Sequence, residues 1–122
     1  MPRLNVQGAL RAYLEGNLAG VPVRVRVPAE RPPTLVTVTR SGGGRTNAHV
    51  DAPEVEVLMW APTEAEAEEL AERVGDLMRR PPHALGILRS DELAMRSDFD
   101  LRARSPRWYA RYSLRTFQPQ GE

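Results

Sequence analysis

The chain has 122 residues, which is long enough for one compact domain and too short for two. Its composition, 41% hydrophobic and 27% charged, excludes wholesale disorder, and the lack of cysteine excludes disulfides, thiolate metal sites and a cysteine nucleophile. The formal net charge of +1 is too small to indicate a general nucleic-acid binder. No stretch predicts a signal peptide or a membrane span, so we expect a soluble protein made in the cytoplasm.

Charge is segregated along the chain. Residues 1–50 and 79–122 are net basic, whereas residues 51–78 are net acidic. In a nearly neutral chain, this pattern predicts that the segments neutralise one another within the fold or across a subunit interface. We expect residues 1–122 to form a single domain, with residues 118–122 as a disordered tail.

The first part of the chain predicts one helix and two strands. An apolar stripe spaced i, i+3, i+4 over Asn5–Leu18 predicts an amphipathic helix that Gly20 ends. Val23–Val27 alternates valine with arginine and Thr34–Arg40 also alternates, so each predicts a half-buried strand. Three consecutive glycines in Ser41–Asn47 predict a flexible, exposed loop.

The middle of the chain predicts a third strand and a second helix. Glu54–Trp60 alternates, with its valines and Met59 on one face. Thr63 and Glu66 form a capping box, behind which an apolar stripe predicts a helix. Glutamates crowd the first turns of this helix, so we expect its exposed face to be strongly acidic.

The last part of the chain predicts a β-hairpin. Leu93–Ala103 and Arg107–Phe117 both alternate and are joined by an Arg-Ser-Pro turn. If the apolar faces share one side of the sheet, Arg111 lies opposite Asp98 or Asp100, and either register neutralises part of an arginine row. The apolar side of the first hairpin strand comprises Leu93, Met95, Phe99 and Leu101.

The order helix, three strands, helix and hairpin predicts an α+β fold. We expect a mixed or antiparallel sheet of about four to five strands with two helices packed on one face.

Metal and carboxylate chemistry receives weak support from the sequence. His49 and Asp51 could share a metal, but His83 is far away in sequence, and an exposed loop histidine is the expected interpretation. Asp98 and Asp100 resemble a carboxylate pair for acid–base work, although an arginine partner is expected for one of them.

Other catalytic patterns are missing from the sequence. Gly42-Gly43-Gly44 could cradle a phosphate, but it lacks the Lys-Ser or Lys-Thr of a P-loop, and no helix pattern begins there. No nucleophile elbow or Ser-His-acid set stands out. We therefore predict no catalytic, cofactor-binding or metal-binding residues and no enzymatic activity.

The final strand interleaves arginines with aromatic residues, a composition that binds single-stranded nucleic acid. However, Trp108 and Tyr112 fall on its apolar face, and Tyr109 alone shares the arginine side. A charged interface or solvated sheet face is therefore favoured over nucleic-acid binding.

Three segments carry a resemblance to a known family. They are Thr34–Gly44, Pro53–Ala61 and the helix opening Thr63–Ala67, and the closing strand Arg107–Phe117 fits as well. In order and overall length they resemble the tail terminator, or tail-to-head joining, proteins of long-tailed bacteriophages. Leu85–Arg102 departs from the family, in which Gly-rich and Pro-rich sequence is expected before the last strand.

The resemblance implies a structural virion protein that assembles in the host cytoplasm as a ring, expected to be a hexamer, at the head-proximal end of the tail. It would bind itself, the tail tube protein and the head–tail connector or stopper protein, ending tube polymerisation and joining tail to head. DNA would pass through the ring without sequence-specific binding, and no membrane or cofactor is involved.

In such a ring, the loop Ser41–His49 is expected to reach a neighbouring ring or the tube, and the acids of the second helix are expected to meet arginines of the adjacent subunit. The expected interface residues are Gly43, Arg45, Trp60, Glu68, Glu69, Arg107, Tyr109 and Arg111. Two alternatives remain: a neck or head-completion connector protein, and a small nucleic-acid-binding accessory protein that uses the Arg- and aromatic-rich strand.

Overall fold

The computed structural model describes residues 5–45 and 50–117, without the side chains of residues 44, 45 and 50. The predicted tail 118–122 and His49 lie outside the described residues. A short 3-10 helix, His83–Leu85, precedes the fourth strand. The other elements, in chain order, are α1 (Val6–Asn17), β1 (Val23–Arg24), β2 (Leu35–Arg45), β3 (Val50–Trp60), α2 (Glu64–Met78), β4 (Ile87–Ser97) and β5 (Arg107–Phe117).

The five strands form one mixed sheet in the order β1-β2-β3-β5-β4. β1 runs parallel to β2, and the pairs β2–β3, β3–β5 and β4–β5 are antiparallel. β4 therefore forms one long outer edge of the sheet. This architecture confirms the α+β fold predicted from the sequence.

Both helices pack against the same face of the sheet. Each begins at a side-chain cap. Thr63 Oγ1, in the predicted capping box, accepts a hydrogen bond from the Glu66 amide, and Asn5 Oδ1 accepts one from the Gly8 amide, both at 3.1 Å. The predicted apolar stripes of α1 and α2 are largely buried against the sheet, where each fully buried aliphatic side chain contributes about 1.5–3 kcal/mol. The strand residues under the helices include Val36, Val38, Val55, Val57, Met59, Ala110, Tyr112 and Leu114.

The prediction of a strand over Val23–Val27 is wrong beyond its first two residues. β1 pairs with β2 only at Val23 and Arg24, and Val25 and Val27 are exposed. The chain then crosses a proline-rich connection, in which Pro28, Pro32 and Pro33 have no backbone N–H to donate to a sheet.

The predicted loop Ser41–Asn47 belongs to β2 as far as Arg45. The β2–β3 register shifts between Arg40 and Gly42, and Gly43 takes a φ of +81° opposite Pro53. A Cβ on Gly43 would lie 2.1 Å from the carbonyl oxygen of Ala52. The glycines therefore allow a distorted strand to continue instead of ending it.

The fourth strand lies six residues before its predicted position, and the turn is formed by residues 101–104, not by Arg104-Ser105-Pro106. Arg111 pairs with Ala94, so the prediction that it lies opposite Asp98 or Asp100 is wrong. β4 has register shifts at Ile87/Arg89 and Glu92/Ala94, which the period-2 argument cannot anticipate.

Candidate functional site

Trp60 lies at the centre of a charged cluster on the sheet face opposite the helices. Its indole Nε1 donates to Asp100 Oδ2 at 2.8 Å. Arg107 approaches Asp98 Oδ2 at 3.0 Å and Asp100 Oδ2 at 3.5 Å, and its guanidinium carbon lies 5.7 Å from the Trp60 ring centroid. Arg31 lies over the same ring at 5.8 Å, so both arginines are within cation–π range. We call these five residues the Trp60 cluster.

Asp100 joins this cluster to the β4–β5 turn. Its backbone exchanges two hydrogen bonds with Ser105, at 2.9 and 3.1 Å, and its Oδ1 accepts from the amides of Arg102 and Ala103 at 3.1 and 3.2 Å. The Trp60 hydrogen bond is the main cause that holds the pKa of Asp100 below its ordinary range, with the two turn amides and Arg107 adding to it. The role of this carboxylate is therefore to fix the turn.

The pair Asp98 and Asp100 has the arginine partner that the sequence led us to expect, but the partner is Arg107 rather than Arg111. Arg107 also donates a hydrogen bond from Nε to the Asp98 carbonyl oxygen at 2.9 Å, so its guanidinium binds both carboxylates and the backbone. The geometry is that of an ion-pair network that closes a hairpin, and it offers no pair of free carboxylates for acid–base chemistry.

A second group on the same face balances the remaining arginines of the sheet. Tyr109 donates its hydroxyl to Glu56 Oε2 at 3.0 Å, and Arg96 covers its ring at 4.2 Å. Arg111 lies 3.6 Å from Glu54. Burial, followed by the contact with Glu56, raises the pKa of the Tyr109 phenol. The carboxylates of β3 therefore offset part of the arginine row.

This arrangement does not favour an aromatic platform for single-stranded nucleic acid. Trp108 and Tyr112 contribute to the helix-covered core, as expected from the strand alternation. The Tyr109 ring is covered by Arg96, and Trp60 is 2% exposed. Trp108 and Tyr109 are half-buried, so these four aromatics do not form the row of exposed ring faces that a stacking platform needs.

The outward side of α2 is acidic, as predicted. Its glutamates are exposed, and none of them makes an ion pair within residues 5–45 and 50–117. The acidic face of α2 comprises Glu64, Glu66, Glu68, Glu69 and Glu72.

A groove of about 330 Å³ runs between α2 and the β4–β5 pair. Its floor is apolar, and its rim carries four carboxylates and one arginine. Sequence reasoning missed this groove because it placed β4 too late in the chain and so could not bring Glu92 and Met95 beside α2. The α2 groove is lined by Ala71, Gly75, Met95 and Trp108 and rimmed by Glu68, Glu72, Asp76, Arg79 and Glu92.

The β4–β5 turn projects an exposed mixture of apolar and basic side chains. Phe99 is 44% and Leu101 82% exposed, so the prediction that they lie on a buried apolar side is wrong, as it is for the exposed Leu93. Arg102 and Arg104 are exposed, and neither makes an ion pair with any residue the structure describes. We call residues 99–104 the hairpin tip.

The residues expected at an interface thus have different environments. Trp60 and Arg107 belong to one cluster, and Tyr109 and Arg111 to the next. Glu68 lines the α2 groove, whereas Glu69 lines a separate depression beside Val21 and Thr34. Gly43 is needed for its backbone conformation, which has a positive φ of +81°. Arg45 pairs with Asp51 in the β2–β3 ladder, and its side chain lies outside the described part of the chain.

No group of three or more His, Cys, Asp or Glu side chains is arranged to hold a metal ion in the described ranges. Asp51 is buried, and His83 is exposed in the 3-10 helix. Gly42 and Gly43 lie within β2 and do not lead into a helix. Across residues 5–45 and 50–117, neither helix has the length and apolar character needed to cross a membrane.

Comparison with known proteins gives no further guide to function. No protein-family model matches the chain, and no curated protein matches it. The surfaces described above, together with the sequence resemblance, are therefore the basis for a functional proposal.

Proposed function

We propose that this chain is a tail terminator of a long-tailed bacteriophage. Copies of the chain assemble as a ring, a hexamer, on the head-proximal end of the tail tube. The ring ends tube polymerisation and offers a surface to the head connector or stopper protein, while DNA passes through without being read. Binding is the whole mechanism, so no catalytic residue or cofactor is required.

The observation that supports ring assembly is the separation of unpaired charges. The exposed glutamates of α2 have no ion-pair partners within the described residues, and the same is true of Arg102 and Arg104 at the hairpin tip. Two different surfaces of one chain that complement each other favour a head-to-tail contact between copies, which closes into a ring when the rotation per copy allows it.

The resemblance to tail terminators gives this assembly its place in the virion. The segments that carry the resemblance form β2, β3 and the beginning of α2. These elements are consecutive in the sequence and pack together around the core. The closing segment forms β5, which pairs with β3 in the centre of the sheet. The similarity therefore extends over the framework of the domain and is not limited to one surface loop.

The test is electron microscopy of particles made by a phage genome with an early stop codon in this gene. We expect headless tails of irregular and excessive length, because only loss of the cap lets the tube keep growing. A plasmid copy of the native gene should restore normal tails, which controls for effects on neighbouring genes.

Two other outcomes would contradict the proposal. Tails of normal length beside unjoined or emptied heads would assign the protein to the neck, the head-completion alternative. Wild-type particles would remove it from the virion. In that case, salt-sensitive binding to single-stranded DNA that is lost on replacing Arg111 and Arg115 would support the nucleic-acid-binding alternative.

A further inference from the structure

We infer that the hairpin tip of one copy docks in the α2 groove of a second copy. The inference rests on the proposed ring, and it names the two surfaces that form the contact. Leu101 would cover the apolar floor, and Arg102 and Arg104 would face the carboxylates on the rim.

Charge complementarity is the first reason for this assignment. The rim of the α2 groove carries four carboxylates and one arginine. Asp76 pairs with Arg79, and Glu92 accepts a hydrogen bond from the Tyr112 hydroxyl at 3.3 Å. This leaves Glu68 and Glu72 as rim carboxylates without an ion-pair partner among the described residues. The hairpin tip carries two arginines without an ion-pair partner among the described residues. An acidic groove and a basic tip on the same chain attract each other when they belong to different copies.

The apolar parts of the two surfaces also match. Leu101 is 82% exposed, and Phe99 beside it is 44% exposed. The floor of the groove offers the side chains of Ala71, Met95 and Trp108. Covering this floor with Leu101 would remove apolar area from water on both copies, and the charged rim would surround that contact, as in the usual anatomy of a protein interface.

A copy cannot fill its own groove. Leu101 lies six residues beyond Met95, which corresponds to about 20 Å at the rise of a β-strand. The residues between them remain paired as an extension of the hairpin, through the Asp98 amide to the Arg107 carbonyl at 2.7 Å and the Asp100–Ser105 bridge. The tip is therefore held away from the groove of its own subunit.

The Trp60 cluster prepares the tip for docking. Asp100 holds the amides of Arg102 and Ala103, and Trp60 and Arg107 hold Asp100. Because the turn is already fixed, docking costs little conformational entropy in its backbone. This gives the buried Trp60 a part in assembly without any direct contact with the second copy.

Cysteine cross-linking tests the contact directly, because the native chain contains no cysteine. Equal amounts of Leu101→Cys and Glu72→Cys are mixed and oxidised under mild conditions. We expect a disulfide-linked dimer that contains one copy of each variant. The control is a mixture of Leu101→Cys with Ala12→Cys, whose new cysteine lies on the exposed side of α1. The dimer should form at least about tenfold faster in the first mixture than in the control. Equal rates in the two mixtures, or no cross-link at any concentration, would overturn the inference.

Charge reversal tests the same contact without oxidation. Arg102→Glu/Arg104→Glu reverses the tip, and Glu68→Arg/Glu72→Arg reverses the groove. Each variant alone should lose the native oligomer in sedimentation velocity, with an apparent dissociation constant raised at least about tenfold. An equimolar mixture should restore it, because each reversed tip then meets a reversed groove and each native tip a native groove.

All four substituted residues are exposed, so circular dichroism and thermal unfolding of the variants should match the native chain. Oligomers formed by either variant alone as readily as by the native chain would overturn the inference, as would failure of the mixture. The contact and the terminator role can fail separately. If the tails are normal when the gene is inactivated but the cross-link forms, the contact stands and the terminator role is wrong. If the tails are overlong but the cross-link does not form, the terminator role stands and the contact is wrong.

Discussion

The indole Nε1 of Trp60 donates a 2.8 Å hydrogen bond to Asp100 Oδ2, and this bond joins the end of β3 to the β4–β5 turn. The two residues are forty positions apart in sequence, and Arg107 on β5 contacts both. Trp60 is buried although it lies on the polar side of its strand. The contact thus explains how a tryptophan outside the helix-covered core becomes part of the framework.

Replacing Trp60 with Phe should destabilise the chain by about 1–3 kcal/mol, because the Asp100 carboxylate loses its indole donor. The pKa of Asp100 should rise toward its ordinary value, since the indole bond is the largest cause of its depression. Urea unfolding and NMR titration of the carboxyl carbon measure the two effects.

Trp108→Phe is the matched control for that variant, because Trp108 packs against the helix-covered core and not against the Trp60 cluster. It should leave the Asp100 titration unchanged. An Asp100 titration in Trp60→Phe that is unchanged from that of the native chain would show that the hydrogen bond does not hold the carboxylate.

Stability should fall in acid partly through Asp100. Its pKa in the folded state lies below the ordinary value of 3.8, so folding favours the charged carboxylate. The resulting stabilisation is complete above that value and is lost as the pH falls below 3.8 through the folded-state pKa. The free energy of unfolding of the native chain should therefore exceed that of Asp100→Asn by less at pH 3 than at pH 6. A difference that stays constant over this range would contradict the assignment.

Gly43→Ala should destabilise the chain by more than about 1 kcal/mol, because the added Cβ meets the Ala52 carbonyl oxygen and φ is positive. Gly42→Ala is a close control, since its Cβ would meet no atom within 4 Å. Thermal or urea unfolding of the two variants checks the difference. Equal stability of the two would argue that the chain can shift at this position.

The helices and the central strands could be predicted because local signals coincide with the tertiary contacts. In α2, the Thr63 cap, the acidic first turns and the apolar stripe all specify the same helix. The edges of the sheet could not be predicted in the same way. Alternation in Val23–Val27 and in Leu93–Ala103 continues past the point where neighbouring strands or helices cover it, so exposed valines, Phe99 and Leu101 resemble core residues.

The candidate surfaces were only partly accessible to sequence reasoning. The acidic face of α2 follows from helical spacing alone, whereas the α2 groove requires the true register of β4, which two bulges displace. Strand alternation predicts Arg111 as the partner of Asp98 or Asp100, whereas the partner is Arg107, because alternation fixes the face of a residue and leaves its register open.

Reversing Glu68 and Glu69 to Arg should block incorporation of the protein into phage particles. The monomer should stay folded, because both side chains are exposed and neither makes an ion pair with a described residue. Mass spectrometry of purified particles measures incorporation. Glu68→Arg alone should also reduce incorporation, and Glu30→Arg, in the exposed connection between β1 and β2, is the control for this single variant because it changes the net charge by the same amount. Undiminished incorporation of the double variant would exclude the acidic face from assembly.

The irregular outer edge of β4 has a consequence for how far assembly can go. A long, straight edge strand offers its free backbone groups to any other strand, so that sheets can add to sheets without limit. The two bulges of β4 interrupt that row of groups and twist it out of line. In the proposed ring, contacts between copies would then depend on particular side chains that fit in one geometry, which favours a closed assembly with a fixed number of members over open-ended aggregation.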